Sequence, residues 1–169
     1  MEETVILVDE NDREIGTGEK MQVHHEGKLH RSFSIFVFNS KRELLMQKRN
    51  KNKYHSGGLW SNTACGHPRP GEDIVAAGER RLQEEMGIRT KLKEMFTFTY
   101  KGSLDHGLIE HEYDHVLTGV HNDSPLPNIQ EVEDWKFASL ESIGKGIRGN
   151  PDAYTAWFPI CFDEVRKRR

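Results

Sequence analysis

The chain has 169 residues, 30% of them charged and 35% hydrophobic, and carries a formal net charge of −3 at pH 7. This length suits one domain with a buried core, and the composition is that of a soluble globular chain. The mild acidity excludes a general attraction to nucleic acid, so any anion site must be a local basic cluster. No apolar run reaches membrane-span length, and the N-terminal "MEETVILVDE" lacks the basic start of a signal peptide. The two cysteines, Cys65 and Cys161, form no disulfide framework. A reducing cytoplasm with Cys65 as a free thiol is expected, and no membrane, nucleic-acid or obligate protein partner is implied.

In chain order, "TVILVD" (Thr4 to Asp9) is a short β-rich run ending in the polar turn "ENDRE". "SFSIFVFN" (Ser32 to Asn39) has the aromatic and β-branched content of a mostly buried strand. After the turn "SKRE", "LLMQKR" reads as the return strand of a hairpin, and "NKNKYHSGGLW" reads as loop. "NTACGHPRPGE" (Asn62 to Glu72) is expected to be irregular, with Cys65 on a loop. Helical periodicity runs from Asp73 to Met86, with Ile74, Val75, Ala77, Gly78, Leu82 and Met86 on the apolar stripe and Gly87 as C-cap. Met95 to Tyr100 and His111 to Val120 read as strands, "HNDSPLPN" as a loop. "SLESIGKGIRGN" and "AWFPICFDEVRKRR" read as two late helical segments with a proline-containing break. The alternation predicts an α+β fold, a mixed sheet flanked by helices.

The spacing around the central helix carries chemistry. Gly66 is followed after five residues by Glu72, and after seven more by Arg80 and "RLQEEMGI". This resembles the Nudix signature at Glu72, Arg80, Leu82, Glu84, Glu85, Gly87 and Ile88. It departs at Arg81, where hydrolases of that superfamily carry a glutamate. Residues four apart share a helix face, which pairs Arg80 with Glu84 and Arg81 with Glu85. A carboxylate is a hard ligand for Mg²⁺, whereas a guanidinium is a fork for phosphate. The substitution therefore favours holding a diphosphate over activating water. Taken alone, "RRLQEE" is a solvated helix face with ion pairs.

A second constellation collects histidines and glutamates: His24, His25 and His30 in "VHHEGKLH", His67 in "CGH", and Glu110 and Glu112 in "IEHE". On a strand, Glu110 and Glu112 project from one face. Imidazole and carboxylate together suit an ion such as Mn²⁺ or Zn²⁺. The remaining histidines, His55, His106, His111, His115 and His121, read as surface residues.

These segments together resemble the type 1 isopentenyl-diphosphate Δ-isomerase family of the Nudix superfamily. The points of resemblance are "GEKMQVH", "LHRSFSIFVFN", "LLMQKR", "LWSNTACGHP", the altered helix, "GLIEHE" and "AWFP", in family order from about Gly16 to Pro159. The resemblance implies a Nudix-type mixed sheet sandwiched between helices, as a single domain over residues 1–169 whose first 31 residues are an extension supplying metal ligands. It implies a tightly bound Mn²⁺ or Zn²⁺ on His24, His30, His67, Glu110 and Glu112. His24 is preferred to His25 because Lys20 precedes it by four residues. It implies Mg²⁺ on Glu85 and the Cys65 carbonyl, completed by substrate diphosphate. Lys20, Arg49, Lys53 and Arg81 correspond to diphosphate-binding residues. Cys65 and Glu112 correspond to the catalytic pair, with Tyr100 beside the active site and Trp157 over the hydrocarbon.

The implied reaction moves a double bond between isopentenyl and dimethylallyl diphosphate through a tertiary carbocation. It needs an acid and a base in different environments, a π face that stabilises the cation without trapping it, and exclusion of water. Cys65, Glu112 and Trp157 meet those needs, with either Cys65 or Glu112 delivering the first proton. Two rivals are a Nudix hydrolase, which leaves Cys65 and the His/Glu cluster unexplained, and a noncatalytic binding module, which explains neither metal ligands nor an acid–base pair.

Overall fold

The computed structural model describes residues 3–169; the first two residues of the expected N-terminal extension lie outside the described residues. The chain begins with a hairpin of β1 (Thr4–Val8) and β2 (Glu14–Glu19), followed by helix α1 (Lys20–Glu26). Then come β3 (His30–Phe38), β4 (Leu44–Arg49), β5 (Trp60–Ser61) and β6 (Ala64–Gly66). Helix α2 (Ile74–Met86) precedes β7 (Lys93–Ser103), β8 (Ile109–Val120) and β9 (Val132–Ala138). Helices α3 (Leu140–Gly149) and α4 (Trp157–Lys167) close the chain, separated by a 3₁₀ turn at Pro151–Ala153.

The strands form one mixed sheet around β3. Its backbone pairs antiparallel with β1, β4 and β6 and parallel with β8. The parallel ladder runs from His30 opposite Glu112 to Phe38 opposite Val120. Alternate residues of β3 face opposite sides of the sheet, and both sides are covered. Phe33, Ile35 and Val37 pack with Leu45, Ala77, Leu82 and Met86 on the α2 side. Phe36 and Phe38 pack with Leu44, Met46, Trp157, Phe158 and Phe162 on the other side, where Ile143 of α3 also lies. A strand buried on both faces needs a nearly continuous apolar run, which is what "SIFVF" supplies.

Helix α2 starts and stops where its end residues dictate. Asp73 accepts hydrogen bonds from the amides of Val75 and Ala76. Gly87 ends the helix in the left-handed region at φ 66°. Pro159 sits in the first turn of α4, where a proline removes no internal helical hydrogen bond.

Several sequence expectations are corrected. Cys65 is not on an irregular loop: β6 pairs Phe33 with Gly66, Ser34 with Cys65 and Ile35 with Ala64. The strand is three residues long and flanked by turn residues, so its own composition gave no β signal. The polar turn after β1 leads into β2, whose "EIGTGE" lacks an apolar period because it is a half-exposed edge. The seven-residue helix α1 is too short for a periodicity. "VEDWKFA", unassigned from sequence, is β9, laid along β4.

The loop between β8 and β9 is pinned to the end of α2 by Leu126 N donating to Met86 O at 2.9 Å and Asn128 N to Glu85 O at 2.8 Å. A Cβ on Gly87 would fall 2.4 Å from Leu126 O. Gly87→Ala is therefore expected to destabilise by about 1–3 kcal/mol, combining left-handed strain with a backbone clash. Urea unfolding measures this, and an unchanged midpoint would contradict the tight approach of the loop.

Candidate active site

A cavity of about 810 Å³ opens at the end of the sheet where β3 and β8 begin. Its wall includes Cys65 and His67 from β6 and the segment after it, Glu110 and Glu112 from β8, Arg81 and Glu85 from α2, and Trp157 from α4. Lys20, Arg49 and Lys53 line it too.

At its base lies a buried cluster. Ligand atoms of His24, His30, His67 and Glu112 all fall within 4.8 Å of one another. Four segments deliver them: α1 brings His24, β3 starts with His30, the stretch after β6 carries His67, and the parallel register of β8 sets Glu112 beside His30. His24 Nδ1 lies 2.7 Å from Lys20 O, and His30 Nδ1 lies 2.9 Å from Lys28 O. A carbonyl can only accept, so both Nδ1 atoms carry a proton, which in a neutral ring leaves Nε2 to present the lone pair. Both Nε2 atoms are buried without a hydrogen-bond partner among the described residues. Orphaned, inward-facing imidazole nitrogens beside a carboxylate are the donor set of a divalent metal site, and the residues fit such an ion.

The electrostatics agree with that reading. Burial pushes His24 below the usual imidazole range and His67 down to about 4, so these rings are neutral, as ligands must be. Burial opposes ionisation of Glu112, yet its contacts with His30 and His67 hold its carboxyl well below the usual range. His67 Nε2 is 3.0 Å and His30 Nε2 is 3.5 Å from Glu112 Oε1.

Glu110 stands outside the quartet, on the same face of β8 as Glu112. Its carboxyl is pushed well above the usual range, first by burial and then by the neighbouring Glu112 charge. One of its oxygens, Oε2, is buried without a partner among the described residues. His24 belongs to the cluster and is fully buried, whereas His25 is exposed.

The expected diphosphate residues and the α2 carboxylates are interlocked. Arg81 Nη2 is 2.8 Å from Glu85 Oε1 and 3.2 Å from Glu131 Oε2, and Lys53 also pairs with Glu131. Glu85 Oε2 accepts from Gln47 Nε2 at 2.6 Å. Arg80 clamps Glu72 through two bonds of 2.7 and 2.8 Å, which fastens the turn after His67 to α2. Lys20 pairs with Glu3 at 2.8 Å. Arg49 lies over the Trp157 ring, 5.4 Å from its centroid.

Cys65 is half-buried, and its thiol is pushed up by burial and by the nearby Asp114. Its sulfur is 3.7 Å from Ser34 Oγ, which donates to Asp114 Oδ2 at 2.7 Å. Tyr100 lies opposite Glu112 in the β7–β8 register and packs in the apolar cluster, off the cavity wall. Burial, then Glu110 and Glu112, push its hydroxyl up to about 12.

Two histidines expected at the surface are buried. His55 lines the cavity with 3% exposure and meets Trp157 edge-on at 5.8 Å, because the "KYHSGG" loop folds inward over the cavity. His115 is held between Glu94 Oε2 at 2.6 Å and Asp12 Oδ2 at 3.0 Å, joining β7, β8 and the first turn. Tyr54, Arg69, Glu131 and Asn62 also belong at or behind the cavity and were not singled out from sequence. Asn62 had a signal, its position three residues before Cys65. Glu131 had none, since a glutamate ending a polar loop looks solvated.

The fold and the altered α2 helix define the class first: the NUDIX domain family matches residues 28–158. Solved structures agree on the fold, including one from Deinococcus radiodurans (TM-score 0.80, 18% identity, 98% of both chains). A MutT protein from Methanosarcina mazei aligns with TM-score 0.68 at 20% identity, over 82% of this chain and 94% of that one. Sequence relatives narrow the class. Isopentenyl-diphosphate Delta-isomerase 1 of Aromatoleum aromaticum is 52% identical over 165 residues, spanning 98% of this chain and 93% of the relative. Isopentenyl-diphosphate Delta-isomerase of Pectobacterium atrosepticum is 49% identical over 161 residues, spanning 95% and 90%. The chain belongs to the isopentenyl-diphosphate Delta-isomerase family of Nudix enzymes.

If the quartet holds a divalent ion, His24→Ala and His30→Ala should each weaken its retention at least about tenfold. Elemental analysis of purified variants, with circular dichroism as the folding control, measures this. Wild-type metal content in both variants would rule the cluster out as the site.

Proposed function

We propose that this chain interconverts isopentenyl diphosphate and dimethylallyl diphosphate by protonation and deprotonation through a tertiary carbocation. The observation that carries the reading is the placement of Cys65, Glu112 and Trp157 on the wall of one cavity that also holds Lys20, Arg49, Lys53 and Arg81. The reading takes the chain as a single isomerase domain, with residues 1–31 as an extension contributing His24 and His30.

In this proposal the diphosphate binds Lys20, Arg49, Lys53 and Arg81. That contact, remote from the bond that changes, supplies the energy that orients the alkene. Cys65 and Glu112 form the acid–base pair. One adds a proton to the terminal alkene carbon and the other removes a proton from C2; on reversal each does the opposite. They come from β6 and β8, which flank β3 on its two edges at this end of the sheet. Trp157 offers its indole face to the positive charge and closes the apolar end against water. Tyr100, opposite Glu112 in register, belongs to the surroundings of the pair.

A tightly held Mn²⁺ or Zn²⁺ would be bound by His24, His30, His67 and Glu112, with Glu110 as fifth ligand, and Mg²⁺ by Glu85 and the Cys65 carbonyl together with substrate diphosphate. When bound, these ions would set the proton affinity of their carboxylate ligand and neutralise diphosphate charge. The hydrolase alternative needs a further carboxylate on α2, and the position carries Arg81, paired with Glu85 at 2.8 Å.

The test is incubation with isopentenyl diphosphate and Mg²⁺ in D₂O, followed by product analysis. Dimethylallyl diphosphate with deuterium in a methyl group is expected; release of inorganic phosphate without isomer would overturn the reading. Cys65→Ala and Glu112→Gln should each lower turnover by about 100- to 10,000-fold while remaining folded. A folded Cys65→Ala protein turning over at the wild-type rate would remove Cys65 from the mechanism. Trp157→Phe should slow turnover modestly and Trp157→Ala far more, because alanine removes the π face and opens the cavity. Thermal melting of the same samples separates lost rate from lost fold.

A further inference from the structure

Asn62 is fully buried and lies behind the cavity wall, not on it. Its amide nitrogen is 3.1 Å from Ile35 O, 2.8 Å from Ala64 O and 3.2 Å from Cys65 Sγ. Its amide oxygen accepts from Trp157 Nε1 at 3.2 Å and from Ser61 Oγ at 2.9 Å. Chemistry fixes which end is which. Two backbone carbonyls can only accept, so the group facing them is the NH₂; an indole N–H can only donate, so the group facing it is the oxygen. Cys65 Sγ also lies 3.4 Å from the oxygen, but Trp157 and Ser61 already occupy both lone pairs there. The NH₂ end has two hydrogens for three acceptors, so the sulfur shares one of them with a backbone carbonyl in a three-centre bond. Ser61 Oγ in turn lies 3.0 Å from Thr155 Oγ1, which ties the network to the segment just before α4.

We propose that Asn62 is a positioning residue: its single planar amide holds the Cys65 sulfur and the Trp157 indole in fixed mutual orientation, donating to one and accepting from the other. The proposal rests on the roles given above to Cys65 and Trp157. A thiol that gives or takes a proton at carbon needs a fixed direction, since small displacements at a reacting atom cost large factors in rate. The neighbour that supplies that direction must not compete for the proton or attack a carbocation. A carboxamide NH₂ satisfies both conditions. It has no available lone pair, and it strengthens its bond to sulfur as negative charge develops there. The same plane prevents the indole from rotating out of line with the sulfur, so acid and π face act on one substrate position.

Asn62 also supports two backbone carbonyls, so the test must separate positioning from folding. Asn62→Asp keeps the volume and the acceptor for Trp157 but replaces the donor at sulfur, whereas Asn62→Ala removes both links. In folded variants, kcat should fall about 10- to 100-fold, the size of one lost hydrogen bond to a charged group. KM for isopentenyl diphosphate should stay within about twofold, because Asn62 does not touch the cavity. An unchanged kcat in a folded Asn62→Asp protein, or a loss confined to KM, overturns the proposal. If both variants unfold, ¹⁵N-labelled wild-type and Cys65→Ala proteins decide it. Removing the sulfur should shift the Asn62 side-chain amide and the Trp157 indole resonances together, leaving those of Trp60 and Trp135 in place. An unmoved Trp157 indole means the two ends are not coupled. A wild-type protein that does not isomerise isopentenyl diphosphate would sink the functional reading, while the resonance shifts would still decide whether the amide joins sulfur and indole.

Discussion

The arrangement depends on the backbone ladder of β3, which has one neighbour, β8, running parallel and another, β6, running antiparallel. Because ladder hydrogen bonds fix register residue by residue, His30 stands beside Glu112 and Ser34 beside Cys65. A slip of one residue would turn every side chain to the opposite face. It would move Phe33, Ile35 and Val37 away from α2, put Phe36 and Phe38 in their place and break up the His/Glu quartet. Because both faces of β3 are apolar, it is the close packing of Phe33, Ile35 and Val37 on one side and of Phe36 and Phe38 on the other that holds the register. Core packing therefore sets the geometry of the polar cluster at the strand ends.

Polar spending at this end of the sheet is heavy, and nearly every charge has a partner. Arg81 is shared between Glu85 and Glu131, Lys53 with Glu131, Lys20 with Glu3, and Arg80 with Glu72. Burial is the largest influence on Arg81 and acts to lower its basicity, but Glu85 and Glu131 outweigh it and raise it, so the side chain stays charged inside the cavity wall. An incoming anion would exchange carboxylate partners for phosphate oxygens, with little change in the number of charged contacts. Selectivity then comes from geometry, where the planar fork of Arg matters.

Much of this was legible in the sequence for identifiable reasons. Helix α2 announced itself through its stripe, the Asp73 start and the Gly87 stop. The buried strand β3 showed as an aromatic and β-branched run. The clustered residues His24, His30, His67 and Glu112 were named because their spacing resembled a known pattern. What stayed hidden depended on distant partners. Three residues of β6 become a strand only because β3 offers an edge, and His55 and His115 are buried by a loop and by acidic residues far away in sequence. Glu131 gains its place from a loop fastened to α2, and Asn62 from an indole at the other end of the chain. None of these leaves a local period or composition to read.

The parallel register also constrains how the protein is made. Antiparallel neighbours can close through a tight turn, but a parallel pair needs a long crossover. Here that crossover carries β4, β5, β6, α2 and β7 between β3 and β8. During synthesis, three histidines of the quartet emerge well before the carboxylate that completes it. Until β8 arrives, one edge of β3 is unpaired and its apolar faces are only partly covered, the condition in which nascent chains associate wrongly. Vectorial synthesis thus leaves an interval in which the strand at the centre of the molecule is its most vulnerable part, ended only when a strand from the second half of the chain docks.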